Sequence, residues 1–144
     1  MKANELMIGD LVTFKDCQND KEVIVVKIWG INQEGNALVL IDDSDSLDEV
    51  TIDEEFVGIP LTPEIIEKNG MKPFDVDKLT DKATAKWWHK DGIFFIKQYH
   101  FKHHNFKPTY SFGCHNHTLI EGIEYVHELQ HALKLCKIEK EISL

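Results

Sequence analysis

The chain has 144 residues, 42% of them hydrophobic and 28% charged, which is the composition of a globular domain and excludes a disordered one. No apolar run approaches the roughly 18–20 residues of a membrane helix. Three distant cysteines, Cys17, Cys114 and Cys136, form no CxxC and exclude a disulfide scaffold. With no signal-peptide-like segment at Met1–Glu5, a reducing cytoplasm is the expected location. The net charge of −9 is uneven: residues 1–60 carry fourteen acids against four lysines, residues 61–144 eleven acids against twelve. There is no arginine, so the side chain that reads guanine and phosphate bidentately is missing.

Residues 8–60 predict a small β unit. Asp10–Phe14 alternates, Val23–Ile31 is rich in β-branched residues, and a turn at Asn32–Asn36 leads into Ala37–Ile41. Further short strands are expected near Glu49–Ile52 and Phe56–Ile59, with the acidic run Asp42–Glu49 as a solvated loop. Five short strands in so few residues suggest an SH3-like, partly open barrel. Thr62 as N-cap, Pro63 at the first helical position and Asn69-Gly70 as exit then punctuate a helix of about two turns.

From Phe74 to Ile120 the pattern returns to strands. Ala85–His89 and Ile93–Phe101 flank a hairpin signal at Asp91-Gly92; a polar loop at Lys102–Pro108 precedes strands at Thr109–Phe112 and His117–Ile120. A helix over Ile123–Cys136 closes the chain. The fold class is therefore α+β: a barrel at 1–60, and at 61–144 a short helix, antiparallel strands and a C-terminal helix packed on them, expected to form one compact unit with the barrel.

The sharpest motif is His127-Glu128-Leu129-Gln130-His131, HExxH on a predicted helix. Two imidazoles one turn apart bind zinc and the adjacent glutamate activates water, so Glu128 is a candidate catalytic base and His127 and His131 candidate ligands. The helical wheel opposes this, because Ile123, Val126, Leu129, Leu133 and Cys136 form the burying stripe and the two histidines point away, toward solvent. No third ligand of the usual kind follows.

Two looser constellations remain. His100, His103, Cys114 and His117 offer zinc-ligand chemistry, but a single cysteine among scattered histidines lacks the tight pairs of structural sites. Between Lys86 and Phe112 nine aromatic residues interleave with lysines, the ingredients of a single-strand nucleic-acid platform, with Trp87, Trp88, Lys97 and Lys102 as candidate binding residues. Aromatics also fill small cores, and adjacent Trp87 and Trp88 must face opposite sides of a strand.

The segments Lys2-Ala3-Asn4-Glu5-Leu6 with Ile8-Gly9-Asp10, Ile59–Gly70 (IPLTPEIIEKNG) and Tyr125-Val126-His127-Glu128-Leu129-Gln130 resemble a family of small uncharacterised proteins common in Bacteroidetes genomes and in their phages and mobile elements. That family's helix pattern is Tyr-Val-His-x-Leu-Gln, so the resemblance implies that Glu128 and His131 are incidental and that the helix docks rather than ligates. It assigns no activity. The expected function is a non-enzymatic accessory or adaptor protein acting through contacts with an unknown protein partner, without a cofactor or a membrane. The alternatives are a zinc hydrolase using the HELQH sequence and a nucleic-acid-associated protein using the aromatic–lysine face.

Overall fold

The computed structural model describes residues 6–15, 23–32, 36–41, 47–51, 56–80, 83–90, 94–101, 109–115 and 117–144. The protein is α+β, with mostly strands: the described residues form two antiparallel five-stranded sheets and two helices. By internal contacts the chain divides into Met1–Pro60 with Tyr125–His131, and Leu61–Glu124 with Ala132–Leu144.

The first unit holds β1 (Leu11–Lys15), β2 (Val23–Ile31), β3 (Asn36–Ile41), β4 (Leu47–Thr51) and β5 (Phe56–Gly58), in the spatial order β4-β3-β2-β1-β5. The meander reflects direct alternation. Val12, Val26, Ile28, Val39 and Phe56 are buried and, with Leu6 and Ala37, make one apolar cluster. A register shift between Ile28 and Gly30 bends β2 where Trp29 stands. Chain entry into β1 is a tight turn: Asp10 N–H donates to Met7 O at 3.1 Å, and Gly9 takes φ 92°, which an L side chain resists.

The second unit opens with α1 (Pro63–Lys68). Thr62 Oγ accepts the Ile65 N–H, Pro63 sits in the first turn and Gly70 leaves with φ 77°, as the punctuation predicts. β6 (Lys72–Thr80), β7 (Ala83–Lys90), β8 (Phe94–Phe101), β9 (Tyr110–Cys114) and β10 (His117–Ile123) follow as a simple meander, order β10-β9-β8-β7-β6. β6 is a strand for which no separate segment is expected from sequence. Its hydrophobic alternation is broken by Lys72, Pro73 and two register shifts, so pairing with β7 supplies what the local pattern lacks. The Asp91-Gly92 hairpin signal lies outside the described residues, but β7 and β8 pair up to Lys90↔Phe94 on either side of it.

Trp88 is fully buried and its indole N–H donates to Glu67 Oε1 at 2.9 Å. Tyr110 is buried as well; desolvation, with the charge of Glu64, pushes its hydroxyl up to about 12, against the lowering effect of its bond to Gln98. Gly113 is required on β9, because a Cβ there would run into the Phe95 ring and the backbone oxygen of His117. α2 runs over Val126–Leu135. Ile123, expected as its first turn, instead ends β10 in register with Tyr110, so the strand pairing outcompetes the helical periodicity there.

Candidate functional site

The first turn of α2 carries the motif with catalytic spacing, and each polar member has a neighbour within its own unit. Tyr125 is the residue before the helix, and its side chain is no cap. Glu128, three positions on, reaches back so that Oε2 accepts the Tyr125 N–H at 3.0 Å, one half of a capping box. Val126 N–H donates to Ile59 O at 2.9 Å and Pro60 bridges Tyr125, which ties the helix start to the extension of β5.

His127 is only 4% exposed, with its ring stacked on Tyr125 at 5.7 Å and 17°. This corrects the solvent-facing position expected from the helical wheel. The wheel treats polar residues as outward, whereas β5 runs beneath this face. A Cβ on Gly58 would stand 2.6 Å from the Tyr125 ring and 3.1 Å from the His127 ring. A glycine in β5 is therefore what lets the two rings lie against the strand.

His131 is turned to the entry turn of β1, where its Nε2 donates to Asp10 Oδ2 at 2.7 Å. Asp10 is completely buried, and the same oxygen accepts the Met7 N–H at 2.6 Å. Gln130 flanks this contact: its Oε1 accepts the Leu11 N–H and its Nε2 donates to Gly9 O, both at 3.0 Å. One side-chain amide thus pairs with the backbone on either side of Asp10 as a neighbouring strand would. Sequence reasoning missed Asp10 as a member of this constellation. The only signal was a carboxylate in a turn, and a separation of 121 residues hides its partner.

Phe56, Val57, Gly58, Tyr125, His127, Glu128 and His131 line an open groove of about 500 Å³. That size would take a small molecule. Among the described residues, however, no three His, Cys, Asp or Glu side chains are grouped so as to hold a metal ion. The donor set does not fit zinc as HExxH uses it. The imidazole nitrogen of His131 is turned to Asp10 and one Glu128 oxygen is on the backbone.

The other candidates are dispersed. Cys114 stands opposite His117 in the β9–β10 register, and His115 takes φ 47° in the turn that follows Cys114. Phe94 is the β8 partner of Cys114, and His100 lies six positions further along β8, about 20 Å away at 3.3 Å per residue. His100 Nε2 is instead 2.7 Å from Gln98 Oε1. His103 lies outside the described residues. Burial, with the nearby Cys114, raises the Cys136 thiol above its ordinary range.

The tryptophans divide as strand geometry requires. Trp88, named as a binding candidate, is core and unavailable to a partner. Half-buried Trp87 shares the other face with Lys97, whose Nζ lies 4.2 Å from the Trp87 ring centre and 4.5 Å from that of Tyr99. Lys102 lies outside the described residues. No helix among the described residues is long and apolar enough to cross a membrane. No protein family, curated protein or solved structure matches the chain.

Proposed function

We propose that this chain is a non-enzymatic adaptor that acts through protein contacts, its N-terminal unit being an SH3-like barrel. The observation that carries this reading is the use of the HExxH residues. Glu128 caps its own helix, His127 stacks on Tyr125 against β5, and His131 bonds the buried Asp10, so the one motif with catalytic spacing is spent on holding α2 to the strands. The barrel reading is supported by the return of the fifth strand to pair with the first, Val12↔Gly58 to Phe14↔Phe56. The cytoplasmic location and the kinship with Bacteroidetes and phage proteins belong to the same proposal. Two segments that carry that resemblance, Ile8-Gly9-Asp10 and the Tyr125–Gln130 helix, meet through Gln130.

The test is Glu128→Gln, assayed for zinc content, peptide hydrolysis and thermal stability alongside the wild type. Glutamine keeps an oxygen for the Tyr125 N–H and loses only the charge at the helix start, so stability should fall by about 0.3–1 kcal/mol, with no hydrolysis to lose. Zinc-dependent hydrolysis by the wild type that vanishes in Glu128→Gln would overturn the adaptor reading in favour of the hydrolase. The second reading, nucleic-acid association, is favoured by one observation, the Lys97 ammonium held over two aromatic rings.

A further inference from the structure

Two cysteines from separate segments of the second unit stand on its covered side. Tyr110, Phe112 and Cys114 alternate along one face of β9, and the unbroken β8–β9 register sets Gln98, Ile96 and Phe94 opposite them. Trp88 joins this face by pairing with Ile96. Trp88, Ile96, Phe112 and Tyr110 are buried, so Cys114 lies at the end of the core face of this sheet. On α2, Cys136 follows wholly buried Ala132 by one turn, and its N–H donates to Ala132 O at 3.2 Å. Cys136 therefore continues the buried side of the helix. The backbone is fixed just beyond it, where Lys137 takes φ 57° and the Ile138 N–H returns to Leu133 O at 2.9 Å, a left-handed helix end. Both cysteines are half-buried free thiols. Burial holds the Cys136 thiol above its ordinary range, and the second cause is the Cys114 sulfur, so the two side chains are within electrostatic reach of each other.

We propose that Cys114 and Cys136 are a redox-sensitive dithiol, which an oxidant of the low-molecular-weight disulfide class closes to a disulfide tying the end of α2 to the end of β9. The Cys114 thiolate attacks one sulfur of the external disulfide, expels one thiolate and leaves a mixed disulfide. The Cys136 thiolate then attacks the Cys114 sulfur and expels the second. The protein gives up two electrons and two protons, and the external disulfide takes up both to become two thiols. Cys136 keeps its proton the more firmly for being buried, which suits it to the second step, where the target sulfur is already beside it. In the reducing cytoplasm proposed for this chain the pair rests as thiols, and closure registers oxidation. The link joins positions 22 residues apart and fastens the helix end from which the C-terminal strap departs, since Lys140 and Ser143 beyond it are bonded to Asn69. This device does not depend on the adaptor reading.

The test treats the full-length chain with oxidised glutathione and then with dithiothreitol, in a Cys17→Ser background that removes the third thiol, which lies outside the described residues. The expected product is a monomer lighter by two hydrogens, in which peptide mapping joins the fragment holding Cys114 to the one holding Cys136. Its melting temperature should stand about 5–10 °C above that of the reduced chain, and dithiothreitol should reverse both changes. Adding Cys136→Ser should stop the reaction at one glutathione on Cys114, with no link and no such rise. A disulfide needs the two Cα atoms within about 7 Å, so the mapped link reads the approach of the α2 end to β9 without relying on a variant that must fold. Glutathione on both thiols with no link between them would overturn the proposal. So would a disulfide-bonded dimer in place of the monomer, or a wild-type chain that links Cys17 in preference to this pair. The adaptor reading is tested separately, by Glu128-dependent hydrolysis, so either can fail while the other stands.

Discussion

Asp10 shows how a buried charge is made tolerable. Its carboxylate is out of water, yet one oxygen receives a backbone N–H from Met7 and an imidazole N–H from His131, while Gln130 satisfies the peptide groups on both sides. Bonds to an ionised acceptor contribute about 1.5–3 kcal/mol each, and leaving a buried charge short of a partner costs at least as much. His131→Ala should therefore destabilise the protein by about 2–3 kcal/mol, read as a lower urea midpoint at unchanged slope. Gln130→Ala, which strands two backbone groups, should cost a similar amount. An unchanged midpoint in both would mean that this clamp is not what holds the helix to the β1 turn. A one-turn separation puts two imidazoles on one side of a helix, but it says nothing about what each meets; here His127 meets a tyrosine ring and His131 an aspartate.

At the level of elements, α1 was legible because its signals are local. Thr62, Pro63, Asn69 and Gly70 act within a few bonds of the backbone they cap. Glu64, in its first turn, has its carboxyl held below the usual glutamate range, first by its backbone hydrogen bond and then by the Thr62 hydroxyl. A lowered folded-state pKa favours the fold above the unfolded-state value, and that benefit is lost as pH falls through the lowered one. Glu64→Gln should thus lower stability at neutral pH and flatten the acid side of the stability–pH curve, its difference from the wild type vanishing as pH falls below the carboxylate range. Thr62→Ala should cost about 1 kcal/mol at neutral pH. β6 and the start of α2 were less legible for the opposite reason. Lys72–Thr80 becomes a strand because β7 offers a ladder, and Ile123 is claimed by β9 before the helix can begin. The strap on α1 is equally non-local: Asn69 exchanges bonds with Ser143 N and O, and the Lys140 ammonium donates to Asn69 O.

On the scale of the whole molecule, charge distribution separates the remaining functions. A chain of net −9 that concentrates its acids in residues 1–60 and has no arginine should be held on single-stranded oligonucleotide columns only at very low salt. On the adaptor reading the Trp87–Lys97–Tyr99 face binds no oligonucleotide, so Lys97→Glu should not shift its elution. Strong retention that Lys97→Glu abolishes would make the aromatic face the working surface.

Composition, alternation and caps were enough to determine an α+β chain of short antiparallel strands with a capped helix after residue 60, because each of these acts through neighbours in sequence. The opposite facing of Trp87 and Trp88 also followed from strand geometry alone. Tertiary structure alone decided that Trp88 is core, that His127 is buried, that His100 is remote from Cys114, and that His131 belongs to Asp10. Those outcomes depend on contacts between segments up to 121 residues apart, which no local period encodes.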